Sequence, residues 1–158
     1  MKKTLLSAAL AAGLLLGASL PALAEGVPAT AAAPAAAEGA RIEVTVIHAT
    51  RDGQLDPALA GLKRTLERAF SGYAGFAKLG EQRETLALDG EQRLTLPNES
   101  ELVYRYLGTD PDGFLRVHIE VGGLRSTVRV KDGGTFFQAG RGYKDGMIVL
   151  AFRAAIAR

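Results

Sequence analysis

His48 and His118 are the only imidazoles in the chain, and the acids near them define the chemistry it could attempt. His48 is followed by Asp52 and Asp56, a set that could ligate a metal ion or act as a general base beside a carboxylate. The spacing matches no ligand motif. Asp52 precedes Gly53 and Asp56 precedes Pro57, which makes one acid a turn former and the other a helix cap. His118 alternates with Arg116 and Glu120, so it belongs to the wet face of a strand. An envelope hydrolase or metal-dependent enzyme using His48, His118 and nearby acids requires these groups to converge in one pocket.

Other motifs resolve into turns. Asp110-Pro111-Asp112-Gly113 opens like a calcium loop, but the position where such a loop needs glutamate is Val121. Gly133-Gly134 and Gly140-Arg141-Gly142 do not lead from a strand into a helix, as a phosphate-cradling loop must. Ser71, Ser100 and Ser126 lie in no nucleophile elbow. With no cysteine, disulfides, thiol chemistry and acylated-cysteine anchoring are excluded. No cofactor is implied.

Aromatic residues offer a different chemistry, that of recognition. Tyr104 and Tyr106 share one strand face, whereas the adjacent Phe136 and Phe137 occupy both faces of theirs. One of that pair either packs beneath a helix or stays exposed near Arg141 and Tyr143. Exposed aromatics beside arginine mark interaction surfaces, so Phe137, Arg141 and Tyr143 are the candidate binding residues.

The elements that must position these side chains are mostly strands. In Arg41 to Thr50, Ile42, Val44 and Val46 alternate with Glu43, Thr45 and Ile47, the period-two signature of a strand. Asp56-Pro57 then starts a helix whose apolar stripe is Leu59, Leu62, Leu66 and Phe70, with Lys63, Arg64, Glu67 and Arg68 outward. Gly72 is placed to end it in left-handed geometry. Strands are expected near 76–88, 91–97, 101–108, 114–121, 124–131, 134–139 and 146–155, separated by Gly, Asp and Asn turns. Met147 to Ala151 is apolar at every position and should be central. The fold class expected is α+β, mainly β: an antiparallel sheet or sandwich of about seven or eight short strands with one helix packed on it.

The first 24 residues describe an address. Lys2 and Lys3 precede an apolar run from Leu5 to Leu20, and Ala22-Leu23-Ala24 after Pro21 forms a cleavage site, so residues 1–24 read as a signal peptide. The apolar run is short and interrupted for a spanning helix, and no membrane span is expected after cleavage. Residues 25–40, rich in Ala and Pro, read as a disordered linker, leaving 41–158 as a single β-rich domain. The chain has 19 basic and 17 acidic residues; without Lys2 and Lys3 the two counts are equal. That balance argues against a nucleic-acid partner.

Val128 to Gly140 (VRVKDGGTFFQAG), Tyr143 to Leu150, Ile47-His48-Ala49-Thr50 and Leu96-Pro97-Asn98 together resemble small exported proteins of uncharacterised function from myxobacteria and related Gram-negative bacteria. That resemblance implies export and brings no assigned activity. The Asp132 to Gly140 stretch is also similar to a hairpin of outer-membrane secretins. There Arg141 stands where a second glycine belongs, so the likeness is one of hairpin grammar. The expectation is a periplasmic or secreted, non-enzymatic module that binds an envelope protein or other envelope component. Mass spectrometry of the protein from an envelope fraction should give an N-terminus at Glu25; an intact Met1 would exclude cleavage.

Overall fold

The computed structural model describes residues 39–158. The expected signal peptide and most of the expected linker lie outside the described residues. The linker's last two positions do not behave as a tether. Gly39 and Ala40 begin the first strand, and Ala40 is fully buried.

Eight strands follow one another: β1 (Gly39–Thr50), β2 (Gly75–Leu86), β3 (Glu91–Thr95), β4 (Glu101–Thr109), β5 (Phe114–Val121), β6 (Leu124–Lys131), β7 (Gly134–Tyr143) and β8 (Gly146–Ala157). They form two antiparallel four-stranded sheets, ordered β2-β1-β8-β7 and β3-β4-β5-β6. Traced around the section, each strand stands beside its neighbour in sequence, and β8 closes on β1. The ring is broken only where the chain crosses between sheets, at the β2/β3 and β6/β7 seams. The architecture is therefore a mainly β sandwich with the connectivity of a flattened up-and-down barrel.

Period two explains the core. Ile42, Val44 and Val46 of β1 share a face with Ile148, Leu150, Phe152 and Ala154 of β8, and they meet Leu102, Tyr104, Tyr106, Leu115, Val117 and Ile119 of the other sheet. Tyr104 stands edge-on to Phe152 at 6.1 Å between ring centres, and Phe136 stacks on Phe152 at 4.8 Å. The opposite face of β1 and β8 carries Ile47, Ala49, Val149 and Ala151, which with Phe76 form a second core under the helical segment.

That segment is the one expected helix, continuous over residues 57–69, with a 3-10 first half. Pro57–Leu62 is a 3-10 helix and Lys63–Ala69 is α1. Proline pre-sets the first turn, and the Lys63 amide bonds to Ala60, three residues back, so Leu59 and Leu62 stack on one side. Asp56 caps this start, its carboxylate accepting from the Ala58 amide at 2.9 Å and from the Lys78 amide of β2 at 3.2 Å. Gly72 does not enter left-handed geometry. Phe70 closes α1 instead, its amide donating to the Leu66 carbonyl at 2.9 Å, and the chain turns at once into β2 through Ala74 to the Thr50 carbonyl at 3.0 Å.

Met147 to Ala151 is indeed central, between β1 and β7, and is covered on both faces. Among the described residues no helix is long and apolar enough to cross a membrane. Because Leu66 is fully buried, Leu66→Ala should destabilise the fold by about 2–5 kcal/mol. Urea denaturation would measure this; a loss below about 0.5 kcal/mol would mean the helix is not part of the core.

Candidate functional site

The structure places the two histidines on different sheets. His48 points toward the β7–β8 turn. Its Nε2 donates to the Tyr143 carbonyl at 3.2 Å, lies 3.5 Å from an Asp145 oxygen, and its ring meets Tyr143 edge-on at 5.2 Å. Asp56 is occupied as a cap, and Asp52 sits in the turn after β1. His118 is on the other sheet, on the outer face of β5, with Nδ1 3.2 Å from Thr127 Oγ1. Among the described residues no three acids or histidines are grouped to hold a metal ion.

The calcium-like turn is filled by an arginine. Asp110 accepts from the Asp112 and Phe114 amides at 3.0 Å each, while Arg129 donates to Asp110 at 2.6 Å and to Asp112 at 2.8 Å. The Arg129 guanidinium also lies over the Phe114 ring at 4.7 Å. Its hydrogen bond holds the Asp110 carboxyl below its ordinary range. Gly133-Gly134 is not the hairpin its sequence resembles but the crossover from β6 to β7 between the sheets, fastened to β8 through Gly133 to the Ala154 carbonyl and Asp132 to the Ile156 amide, both at 2.8 Å.

Phe137, Arg141 and Tyr143 do not form one surface. Strict alternation along β7 would place all three on the same side, but a bulge between Ala139 and Arg141 inserts an extra residue and reverses the faces beyond it. Phe137 pairs across from Ala151 and packs beneath the helix, edge-on to Phe70 at 6.1 Å. Tyr143 packs against the sandwich core. Arg141 pairs with Ile148 and lays its guanidinium against Gly122, whose φ of 54° and lack of a side chain both suit the β5–β6 turn there. Beside Arg141 an apolar slot of about 60 Å³ lies between Leu96, Val121 and Leu124. This is well short of the roughly 150 Å³ that accommodates a benzene-sized ligand.

A larger concavity lies on the outer face of the β1–β8 sheet, where the apolar rows under the helix give way to charge. Arg41, Glu43 and Thr45 of β1 alternate away from the core, and Arg153 stands opposite Glu43 in register. Arg83 and Glu81 continue the surface on β2. Two adjoining grooves, of about 310 and 450 Å³, run over these side chains, floored by Ala151 and Ala155 and walled on one side by the 3-10 helix. Lys78 pairs with Glu81, Arg83 donates to Glu81 at 2.6 Å and to Glu43 at 2.8 Å, and this chain neutralises both carboxylates. The Lys78 hydrogen bond, with the Lys78 and Arg83 charges behind it, pulls the Glu81 carboxyl below its ordinary value. Arg41 and Arg153 line the same concavity and form no ion pair among the described residues. Two guanidinium groups thus remain available beside a network that is already neutral, an arrangement that can take a carboxylate or phosphate through paired N–H donors.

No local motif in the chain marks this half-face. Its signal was present in the polar positions alternating with Ile42 and Val44, but strand pairing was needed to put Arg153 beside Glu43 and Arg83. Comparison of the chain with protein families, with curated proteins and with solved structures finds no match.

The Glu81 carboxyl should titrate below the 4.5 of a free glutamate in carbon-13 NMR, and Lys78→Met should bring its midpoint back up. Since the folded value is the depressed one, the ion network's contribution is full at neutral pH and is lost as the pH falls through that value. An ordinary midpoint in the wild type would mean that the Lys78 contact does not persist in solution.

Proposed function

We propose that the protein is an exported, non-enzymatic module of the bacterial cell envelope that binds an acidic envelope component through the charged half-face of the β1–β8 sheet. The observation that carries this reading is the pair Arg41 and Arg153, uncompensated among the described residues and set over a groove wide enough for a ligand. Arginine forks recognise planar anions in pairs of hydrogen bonds, and neighbouring Thr45 and Thr135 add hydroxyl partners. The signal-like N-terminus and the resemblance to small exported proteins of myxobacteria and related Gram-negative bacteria support the compartment. The grooves are lined by arginines, a threonine pair and neutralised carboxylates, a set suited to holding an anion.

The test is co-sedimentation of the protein with isolated envelope material across a salt series. Arg41→Ala/Arg153→Ala should weaken retention about tenfold or more, equivalent to about 1.4 kcal/mol, and wild-type retention should decline as salt screens the contact. His48→Ala/His118→Ala should retain wild-type binding, with folding of every variant checked by circular dichroism. Loss of function in the histidine pair alone would overturn the proposal in favour of an envelope hydrolase or metal-dependent enzyme using those groups.

A further inference from the structure

The β2/β3 seam gathers polar groups on the inside of the sandwich. In β2, Gln82 and Glu84 pair across from Val44 and Ile42, which places both on the core-facing side. Tyr104 of β4 faces the same interior and is fully buried, and Gln92 of β3 is its register partner. The Tyr104 hydroxyl and the Gln82 carbonyl oxygen are both buried with no hydrogen-bond partner among the described residues. The Gln82 amide nitrogen lies 3.4 Å from a Glu84 oxygen, and Glu84 forms no ion pair among the described residues. Burial, and after it the Glu84 charge, push the Tyr104 hydroxyl up to about 12, so it remains a neutral phenol.

Polar atoms without partners in a protein interior cost free energy, and the half-buried Glu84 carboxylate beside them has no cation among the described residues. A hydrogen-bonding neutral molecule would satisfy Gln82 and Tyr104 but leave the Glu84 charge uncompensated. A bare metal ion would find a single carboxylate. A primary ammonium fits the set: it carries three donors and one positive charge, against the Gln82 carbonyl, the Tyr104 hydroxyl oxygen and the Glu84 carboxylate.

Access runs along the seam, where no ladder hydrogen bonds join β2 to β3. A mostly apolar cavity of about 190 Å³ opens there between Val46, Leu79, Gly80, Leu94 and Pro97, with Glu81 and Thr95 at its border. Gly80 is two residues from Gln82 on the same inward row, about 7 Å along the strand. The β2 bulge at Leu79 leaves that leucine 41% exposed at the mouth. An apolar stem lying over Val46, Leu94 and Pro97 would thus reach Gln82 with its head.

We propose that the β2/β3 seam is a binding site for a primary alkylammonium group, its methylenes in the apolar mouth and its nitrogen among Gln82, Glu84 and Tyr104. The Gln82, Glu84 and Tyr104 group is on the opposite side of the sheet from the charged half-face, with Glu81 bordering both cavities.

Thermal unfolding of the full chain is followed with n-butylammonium, tetramethylammonium and n-butanol at matched ionic strength. Only n-butylammonium should raise the unfolding midpoint saturably, since the second probe has charge without N–H donors and the third is neutral. Glu84→Gln should weaken its apparent affinity about tenfold or more, while Glu67→Gln on the outer side of α1 leaves it unchanged. Tyr104→Phe, which removes a partnerless hydroxyl, should be at least as stable as wild type without the amine and should lose part of the response to it. An acetylated, amidated Ala-Lys-Ala peptide in place of butylammonium separates a lysine side chain from a free amine as the natural source, according to which binds more tightly. The proposal is overturned by no saturable response to either amine, by equal responses to the three small probes, or by an unchanged response in Glu84→Gln.

Discussion

Met147 to Ala151 cannot face water on either side, because successive side chains of a strand point to opposite faces and all five here are apolar. Such a strand must be covered twice, and the two covers define the molecule. The second sheet closes over Ile148 and Leu150, and the helical segment closes over Val149 and Ala151. β1 shares this requirement through Ile47 and Ala49, and its antiparallel register with β8 aligns the two apolar stretches under one helical cap. Where β8 reaches Arg153 and β1 reaches Glu43, the requirement lapses, and the sheet's outer face is left to solvent and charge.

The two wet faces of the sandwich differ in their electrostatics. On the β3–β6 sheet, Glu91 pairs with Arg93 and Arg105, Glu120 with Arg125, and Asp110 and Asp112 of the β4–β5 turn with Arg129, while Arg116 and Lys131 form no ion pair among the described residues. Exposed pairs of this kind add little stability one at a time, but charge on the edge strands protects them from pairing with another chain. The half-face beside the helix has a neutralised chain of Lys78, Glu81, Arg83 and Glu43 with two further arginines beside it. The difference lies in position, since Arg41 and Arg153 line a concavity, and not in overall composition, since acids and bases nearly balance over the chain.

Much of the architecture was legible because it is local. The alternation in Leu115 to Val121, the Asp-Gly and Gly-Gly turns and the stripe of Leu59, Leu62 and Leu66 each express a period that burial on one face imposes. The helix end was misread because a glycine at the right spacing does not itself require a left-handed residue. Thr50 of β1 captures the chain first, through the Ala74 amide. The linker boundary was misread because Gly39 and Ala40 carry no side-chain signal, while their place beside β2 and β8 is set by backbone pairing.

The candidate sites show where local reading stops. By itself the sequence determined which residues alternate, where the chain turns, that sulfur chemistry is excluded, and that neither histidine belongs to a known ligand motif. Only the tertiary structure decided which rows meet. A bulge beside Gly140 parts Phe137 from Arg141 and Tyr143, strand register brings Arg153 to Glu43 and Arg83, and the open seam brings Gln82 and Glu84 of β2 to the interior that buries Tyr104. The physical reason is the same in each case. Periodicity along one strand specifies a face, whereas a binding site is made by residues from different strands, and their juxtaposition depends on register, on bulges and on the packing of one sheet against another.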